Sequence, residues 1–396
     1  ANGQTFLAVN SHQPWEGPVT WYEAHLHSNE GWDAVGGLFP GMPVVTHGHN
    51  RDLGWAFTVN RPDLVDVYVL EINPADPNQY RFDGEWLDLE IRIAPITVKL
   101  FGRLKWTVKE EVAWSIYGPV LGMSHGTYAV RYAGQGQAGI FEQLYRMNKA
   151  RSFEEWQAAL RKPGLPMFNV GYADRDGNIY YLYNGLIPQR VEGYDWSQYL
   201  PGNTSETLWT EYLPFEHLPQ VLNPASGFIQ NCNSSPYWTT LGPENPQPDG
   251  FSPTLGIETE LTNRARRALE LFGTDPQISE QDFYSFKYDM AYSQEGDMPL
   301  YIKELLSAPI PQDADVRAAL DLIRARDMRA TPDSIATALD ERVPLAVVDS
   351  VDRRGNNGAR GRLGFSRSVR LFVDAANLAM TPPRQEREPD RLHRAP

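Results

Sequence analysis

Gly48-His49-Asn50-Arg51-Asp52-Leu53-Gly54-Trp55-Ala56-Phe57-Thr58-Val59-Asn60 is the stretch on which the fold turns. Gly48-His49-Asn50 has turn composition, and residues 53–59 follow as a short apolar, aromatic and β-branched run, so the stretch reads as a turn feeding a strand. Working outward, residues 5–10, 21–27, 44–47 and 65–71 have the same character, each bounded by Gly, Pro or Asn. Residues 89–100 and 104–116 read as a hairpin that turns at Phe101-Gly102-Arg103. Helical signals separate these groups. Ser152-x-x-Glu155 is a capping box opening a helix through Leu160, and Ser279-x-x-Asp282 has the same form. Residues 262–272 place Ala265, Ala268, Leu269 and Phe272 at helical spacing, and 316–324 predict a further helix. Strand runs broken by helix runs, without regular βαβ alternation, predict an α+β layered fold.

Composition narrows the function. The 396 residues carry 36 Lys+Arg against 50 Asp+Glu, a formal charge of −14, which argues against a phosphate-binding surface and so against nucleic acid. Hydrophobic residues at 41 % and charged residues at 22 % suffice for a buried core. No apolar run is long enough for a membrane-spanning helix. The single cysteine, Cys232, excludes an internal disulfide framework and a Cys-based zinc cluster. Ala1-Asn2-Gly3-Gln4 is polar, unlike the start of a signal peptide, and the absence of an initiating Met suggests a processed product or a fragment. Beyond Tyr301 only Phe365 and Phe372 are aromatic, and lysine stops at Lys303. The break predicts a domain over residues 1–330 and an atypical, partly disordered segment over 331–396, with a loop at 355–364.

Several constellations could carry chemistry. His25-x-His27 and His47-x-His49 each put two imidazoles on one strand face, the arrangement a zinc hydrolase would use, though zinc needs three or four convergent donors. Gly134-x-Gly136-x-x-Gly139 matches a dinucleotide loop only by letters, because no buried strand precedes it and Gln135 and Gln137 suggest a mobile loop. Neither a Gly-x-Ser-x-Gly elbow nor a phosphate-binding Walker loop occurs.

A longer series of segments is more informative. Asn10-Ser11-His12-Gln13-Pro14-Trp15 comes first, then Phe39-Pro40-Gly41-Met42-Pro43 leading into residues 48–60. Asp63-Leu64-Val65-Asp66-Val67-Tyr68, Tyr117-Gly118-Pro119-Val120-Leu121 and residues 169–179 follow. Asn223-Pro224-Ala225-Ser226-Gly227-Phe228-Ile229 then precedes Asn231-Cys232-Asn233-Ser234-Ser235-Pro236. In this order they resemble the β chain of the penicillin acylase family of N-terminal-nucleophile (Ntn) hydrolases, over roughly residues 5–325.

The resemblance implies a four-layer αββα sandwich with insertions, and an amidase acting on a linear amide. Its nucleophile is a Ser at the head of the β chain, freed by self-cleavage of a precursor that also supplies an α chain. Ala1 has no nucleophilic side chain, and His12 stands about ten residues early for the family's Asn-x-His motif. The resemblance therefore places the Ser ahead of Ala1. It assigns the Val59 N–H and the Asn233 side-chain amide to the oxyanion, His12 to orienting the nucleophile, and Arg264 to a hydrogen bond near the site. Gln13 and His47 stand where many relatives have pocket phenylalanines, which implies a longer or more polar acyl group than phenylacetyl. The substrate would be a small-molecule N-acyl amide: an N-acyl-homoserine lactone, a β-lactam or an acyl-peptide antibiotic. The chemistry requires no cofactor. Asp63, Val65 and Asp66 match positions that bind a structural calcium in some members, two carboxylates and a carbonyl being suited to a hard cation. Relatives are usually periplasmic or secreted. Beside this stand the zinc hydrolase and a non-catalytic, aromatic-rich ligand-binding β protein.

Overall fold

Two antiparallel pairs begin the first sheet. In the computed structural model, which describes residues 3–274, 277–307, 314–334 and 337, β1 (Tyr22–Ser28) pairs with β2 (Trp32–Leu38), and β3 (His47–His49) with β4 (Leu53–Thr58). β2 and β3 approach closely because Gly36 faces Gly48: a Cβ on Gly36 would lie 1.9 Å from the His47 carbonyl oxygen, and one on Gly48 2.1 Å from that of Val35. β5 (Val65–Leu70) starts a second sheet. β6 (Ile72–Asn73), β7 (Asp76–Phe82) and β8 (Glu85–Asp88) make a small third one. The predicted hairpin follows as β9 (Glu90–Phe101) and β10 (Leu104–Trp114), its turn passing through Gly102 at φ +56°.

β11 (Val120–Met123) and β12 (Gly126–Tyr132) return to β5. After helices α1 (Ile140–Lys149) and α2 (Phe153–Leu160), β13 (Asn169–Asp174) lies down antiparallel to β4, and β14 (Ile179–Tyr183) pairs with β13. β15 (Leu200–Pro201) joins β5 in parallel, and β16 (Gln220–Leu222) completes the first sheet, whose order is β1-β2-β3-β4-β13-β14-β16. α3 (Asn263–Thr274) and α4 (Glu280–Lys287) follow. The fold is thus mixed and sheet-rich.

Burial explains the register. Leu53, Trp55 and Phe57 point from β4 into a core shared with Val170 and Tyr172 of β13, Leu144 and Met147 of α1, and Trp156 and Leu160 of α2. Alternation sends Gly54, Ala56 and Thr58 to the opposite face, beside Asn169, Gly171 and Ala173. Ser152 caps α2 by accepting from the Glu155 N–H at 3.3 Å, and Ser279 with Asp282 forms a reciprocal box at α4. Both capping signals were legible.

Residues 5–10 are not a strand, contrary to expectation. They are held through side chains instead: the Thr5 hydroxyl donates to the Asp174 carbonyl, and Leu7 lies over Gly54, 3.2 Å from where a Cβ would stand. The expected 44–47 strand begins only at His47, since β3 is confined to three residues.

The chain divides into two compact units, Ala1–Lys287 and Tyr288–Pro396. In the second, α5 (Asp297–Ser307) and α6 (Ala314–Arg324) pack around Ile302, Ala319, Leu320 and Ile323. The expected loop at 355–364, and nearly all of the 331–396 segment, lie outside the described residues.

Candidate active site

β4 ends at Thr58, the last residue paired with β13, and this is where three of the expected site residues meet. Asn233 donates its Nδ2–H to the Val59 carbonyl at 2.9 Å, and the Arg264 Nη2 donates to the Asn233 Oδ1 at 2.9 Å from the first turn of α3. The two bonds fix which way the amide faces. They leave the second Nδ2–H uncommitted, so Asn233 retains a donor for a ligand. Asn233 sits at φ +58°, a left-handed conformation that asparagine tolerates better than most residues.

A second layer holds this arrangement. The Asn231 Oδ1 accepts from the Thr58 hydroxyl, from the Asn169 Nδ2 at 3.1 Å and from the Asn233 N–H at 3.0 Å. Asn169 is oriented in turn by the Tyr181 hydroxyl, which donates to its Oδ1 at 2.6 Å; burial keeps that phenol protonated. On the far side of Val59, buried Asn60 accepts from the Phe168 N–H at 2.7 Å and donates to the Asn184 carbonyl at 2.8 Å. Val59 is 46 % exposed, yet both its neighbours are locked. A backbone N–H held between pinned residues suits a preorganised hydrogen-bond donor.

His12 is exposed and has no hydrogen-bond partner among the described residues. The residue before it is tied down: the Ser11 hydroxyl lies 3.2 Å from the His47 Nε2. His47 is buried, and desolvation pushes its pKa down to about 4, so the ring is neutral. Its Nδ1 accepts from the Phe57 N–H at 2.9 Å, which leaves the proton on Nε2 and makes Ser11 the acceptor. Trp21 meets the same ring edge-on and stacks on Phe39.

The calcium expectation meets a different occupant. Asp63 and Asp66 do converge, but on the guanidinium of Arg190, whose side chain is 0 % exposed. Its Nε and Nη2 lie 3.0 Å from the Asp66 Oδ2, its Nη2 also donates to the Asp63 carbonyl at 3.0 Å, and its Nη1 to that of Thr254 at 3.0 Å. Trp209 adds an Nε1–H bond to the Asp66 Oδ2 at 2.6 Å. Val65 turns its side chain out to solvent from β5. The guanidinium meets the Asp66 Oδ2 and supplies the positive charge these acids face, while the buried Asp66 Oδ1 has no hydrogen-bond partner among the described residues.

The four-histidine zinc arrangement is also absent. His47 is enclosed as described, and the His49 Nδ1 lies 3.0 Å from the Asn50 carbonyl, while His25 and His27 turn toward Asp33. The rings that prompted a ligand-binding alternative largely pack inward, with Trp55, Trp156, Tyr68, Tyr117 and Tyr172 fully buried. Sequence reasoning singled out Val59, Asn233 and Arg264, but missed Asn169, Asn231, Thr58 and Arg190 as partners. Asn169 and Asn231 lay within quoted motifs, and only the contacts between strands give them roles.

A family model described as penicillin amidase matches residues 1–391. The chain is 33 % identical over 237 residues to penicillin G acylase of Escherichia coli, an alignment covering 58 % of this chain and 27 % of that protein. It is 28 % identical over 330 residues to the acyl-homoserine lactone acylase PvdQ of Pseudomonas syringae, covering 75 % and 42 %. The fold resembles that of a thermostable penicillin G acylase from Alcaligenes faecalis with a TM-score of 0.66 and 21 % identity, over 93 % of this chain and 74 % of that one. The chain thus spans less than half the length of these two curated relatives.

Proposed function

Because the chain belongs to the penicillin amidase family, we propose that it supplies the oxyanion-binding part of an amidohydrolase acting on the linear amide of an N-acyl compound. The substrates named for its relatives, penicillin G and acyl-homoserine lactones, define the class, and an acyl-peptide antibiotic belongs to it chemically. The nucleophile is a Ser hydroxyl at a chain terminus of the whole protein, outside residues 1–396. Ser11 does not take that role, since its oxygen accepts from His47 and it carries no free amine.

The chemistry follows from the residues. An α-amine with an ordinary pKa of about 7.7–8.0 can take the proton from a hydroxyl on the same residue at neutral pH. The alkoxide attacks the amide carbon, and negative charge moves to the carbonyl oxygen. The Val59 N–H and the free Asn233 Nδ2–H receive that charge. Arg264, drawing on the Asn233 Oδ1, strengthens the opposite N–H as a donor and holds the amine's pKa down. His12 orients the terminal residue. Collapse of the intermediate breaks the C–N bond as the nitrogen takes back the proton held by the α-amine, so the amine leaves and the acyl group stays as an ester on the Ser oxygen; water then attacks that ester, releasing the acid and restoring the hydroxyl.

In this reading the chain pairs with an α chain from the same precursor in a four-layer αββα sandwich, is exported to the periplasm or beyond, and ends in an atypical 331–396 segment. No described helix is long and apolar enough to cross a membrane.

The observation that carries the proposal is the Asn233 amide, held between the Val59 carbonyl and Arg264 with one N–H to spare. In the whole matured enzyme, Asn233→Ala should lower kcat about 10²–10³-fold toward an N-acyl-homoserine lactone or penicillin G, with KM little changed. Undiminished turnover by a folded Asn233→Ala enzyme would remove the oxyanion role.

A further inference from the structure

The β1–β2 hairpin carries a side-chain cluster that the amidase chemistry does not use. His25 and His27, two residues apart on β1, share its solvent face, while Leu26 between them packs against the core. Asp33 on β2 is the direct cross-strand partner of His27. The Asp33 Oδ1 lies 2.6 Å from the His25 Nε2 and 3.4 Å from the His27 Nδ1, and the three donor atoms all fall within 4.8 Å of one another. Among the described residues this is the one such group of three His, Cys, Asp or Glu side chains.

We propose that His25, His27 and Asp33 form a binding site for a single late first-row transition-metal dication, completed by water on the open side. The chemistry of the donors selects the ion. Two imidazoles and one carboxylate suit Cu²⁺, Ni²⁺ and Zn²⁺ rather than Ca²⁺ or Mg²⁺, with Cu²⁺ bound most tightly. Metal bonds of about 2.0–2.2 Å would set the donors roughly 3.3 Å apart. The His27–Asp33 separation already has that value, and the exposed His25 ring needs only a small rotation to open its contact with Asp33. The strand pair fixes the backbone of all three ligands, so little ordering accompanies binding. One group opposes the ion: the Arg51 Nε donates to the other Asp33 oxygen at 2.9 Å. β1 is an edge strand of the seven-stranded sheet, and a metal at this place would staple it to β2.

The site is separate from the Asn233 cluster, so its success or failure does not bear on the amidase reading. Titrating the 396-residue chain calorimetrically with CuCl₂, NiCl₂ and ZnCl₂ should show one site per chain, tightest for copper. His25→Ala or His27→Ala should each weaken it about 10–100-fold or more. Arg51→Gln, which removes the competing cation without touching a ligand, should tighten binding several-fold. Electron paramagnetic resonance of the copper form should show two coordinating imidazole nitrogens, reduced to one in either His variant. A site unaffected by His25→Ala and His27→Ala, or no saturable binding at all, would overturn the assignment.

Discussion

Asp66 and Asp33 are each clasped by an arginine at hydrogen-bond distance, and the two clasps differ mainly in their access to water. Around Asp66 the partner Arg190 is wholly enclosed, and its donors are shared among Asp66, the Asp63 and Thr254 carbonyls and the nearby Asp63 carboxylate. Gly256, at φ +60°, admits the close approach: a Cβ there would lie 2.4 Å from the Asp63 Cβ. Around Asp33 the partner Arg51 is 85 % exposed and, among the described residues, makes a single hydrogen bond, at 2.9 Å. Charges at equal separation attract far more strongly in a low-dielectric interior than at a wet surface, but the interior also exacts desolvation. The buried clasp is therefore intolerant of losing one member. The exposed one is interchangeable, which is why its carboxylate can be shared with two histidines.

The largest test of that contrast is Arg190→Ala. Removing the guanidinium strands the Asp66 carboxylate in the interior beside the partly exposed Asp63, and breaking such a buried pair typically costs about 3–5 kcal/mol, read as a fall in the urea midpoint. A double replacement, Asp66→Leu with Arg190→Met, should cost much less, because no unpaired charge remains at the centre of the cluster. Calcium should leave the wild-type midpoint where it is, since the guanidinium already fills the space between the acids.

His47 sharpens the comparison, being a buried titratable group with no opposite charge beside it among the described residues. Its folded pKa of about 4 lies below the ordinary 6.5 because burial disfavours the imidazolium. Above pH 6.5 both folded and unfolded chains keep the ring neutral, and His47 adds no pH dependence. As the pH falls from 6.5 toward 4, the unfolded chain binds a proton that the folded chain refuses. Stability falls over that window by about 3 kcal/mol and by no more below it. His47→Phe, which retains the contacts with Trp21 and Phe57, should remove that share of the acid sensitivity. Urea midpoints of both proteins at pH 7, 5.5 and 4 would show it. Parallel curves would mean that His47 is reached by water.

Local signals carried much of this structure. The caps at Ser152 and Ser279, the 101–103 turn and the 53–59 strand each depend on residues adjacent in sequence, and each was legible. Val59, Asn233 and Arg264 were legible through motif order, and the fold brings them together. α1 carries no such local signal: Gly139 gives its start no side-chain cap, and its buried face includes the polar Gln143 and Asn148, which blur the apolar period. Asn148 is needed there, its amide bonding both the N–H and carbonyl of Val45. Arg190 is 124 residues from Asp66 and Asn169 is 62 from Asn231, separations at which spacing carries no contact information. The joint site of four histidines failed for a related reason. Strand periodicity gave their faces, but whether two strands share a site depends on the packing between them.

The smallest expected effect lies at the exposed clasp. His25, then Arg51, hold the Asp33 carboxyl well below the ordinary carboxylate range, so it stays charged throughout the working pH. That low value reflects hydrogen bonds made in water, where the arginine's own solvation competes with the contact. Arg51→Ala, measured with a chelator present, should therefore leave the urea midpoint unmoved, and any residual difference should vanish in 1 M salt, where screening shortens to roughly 3 Å. The direction of the alternative is informative. A gain in stability would mean that Arg51 is strained against His25 and His27. A loss as large as that from Arg190→Ala would mean that water access is not what separates the two clasps, and the contrast between them would have to be sought in the number of donors each arginine shares.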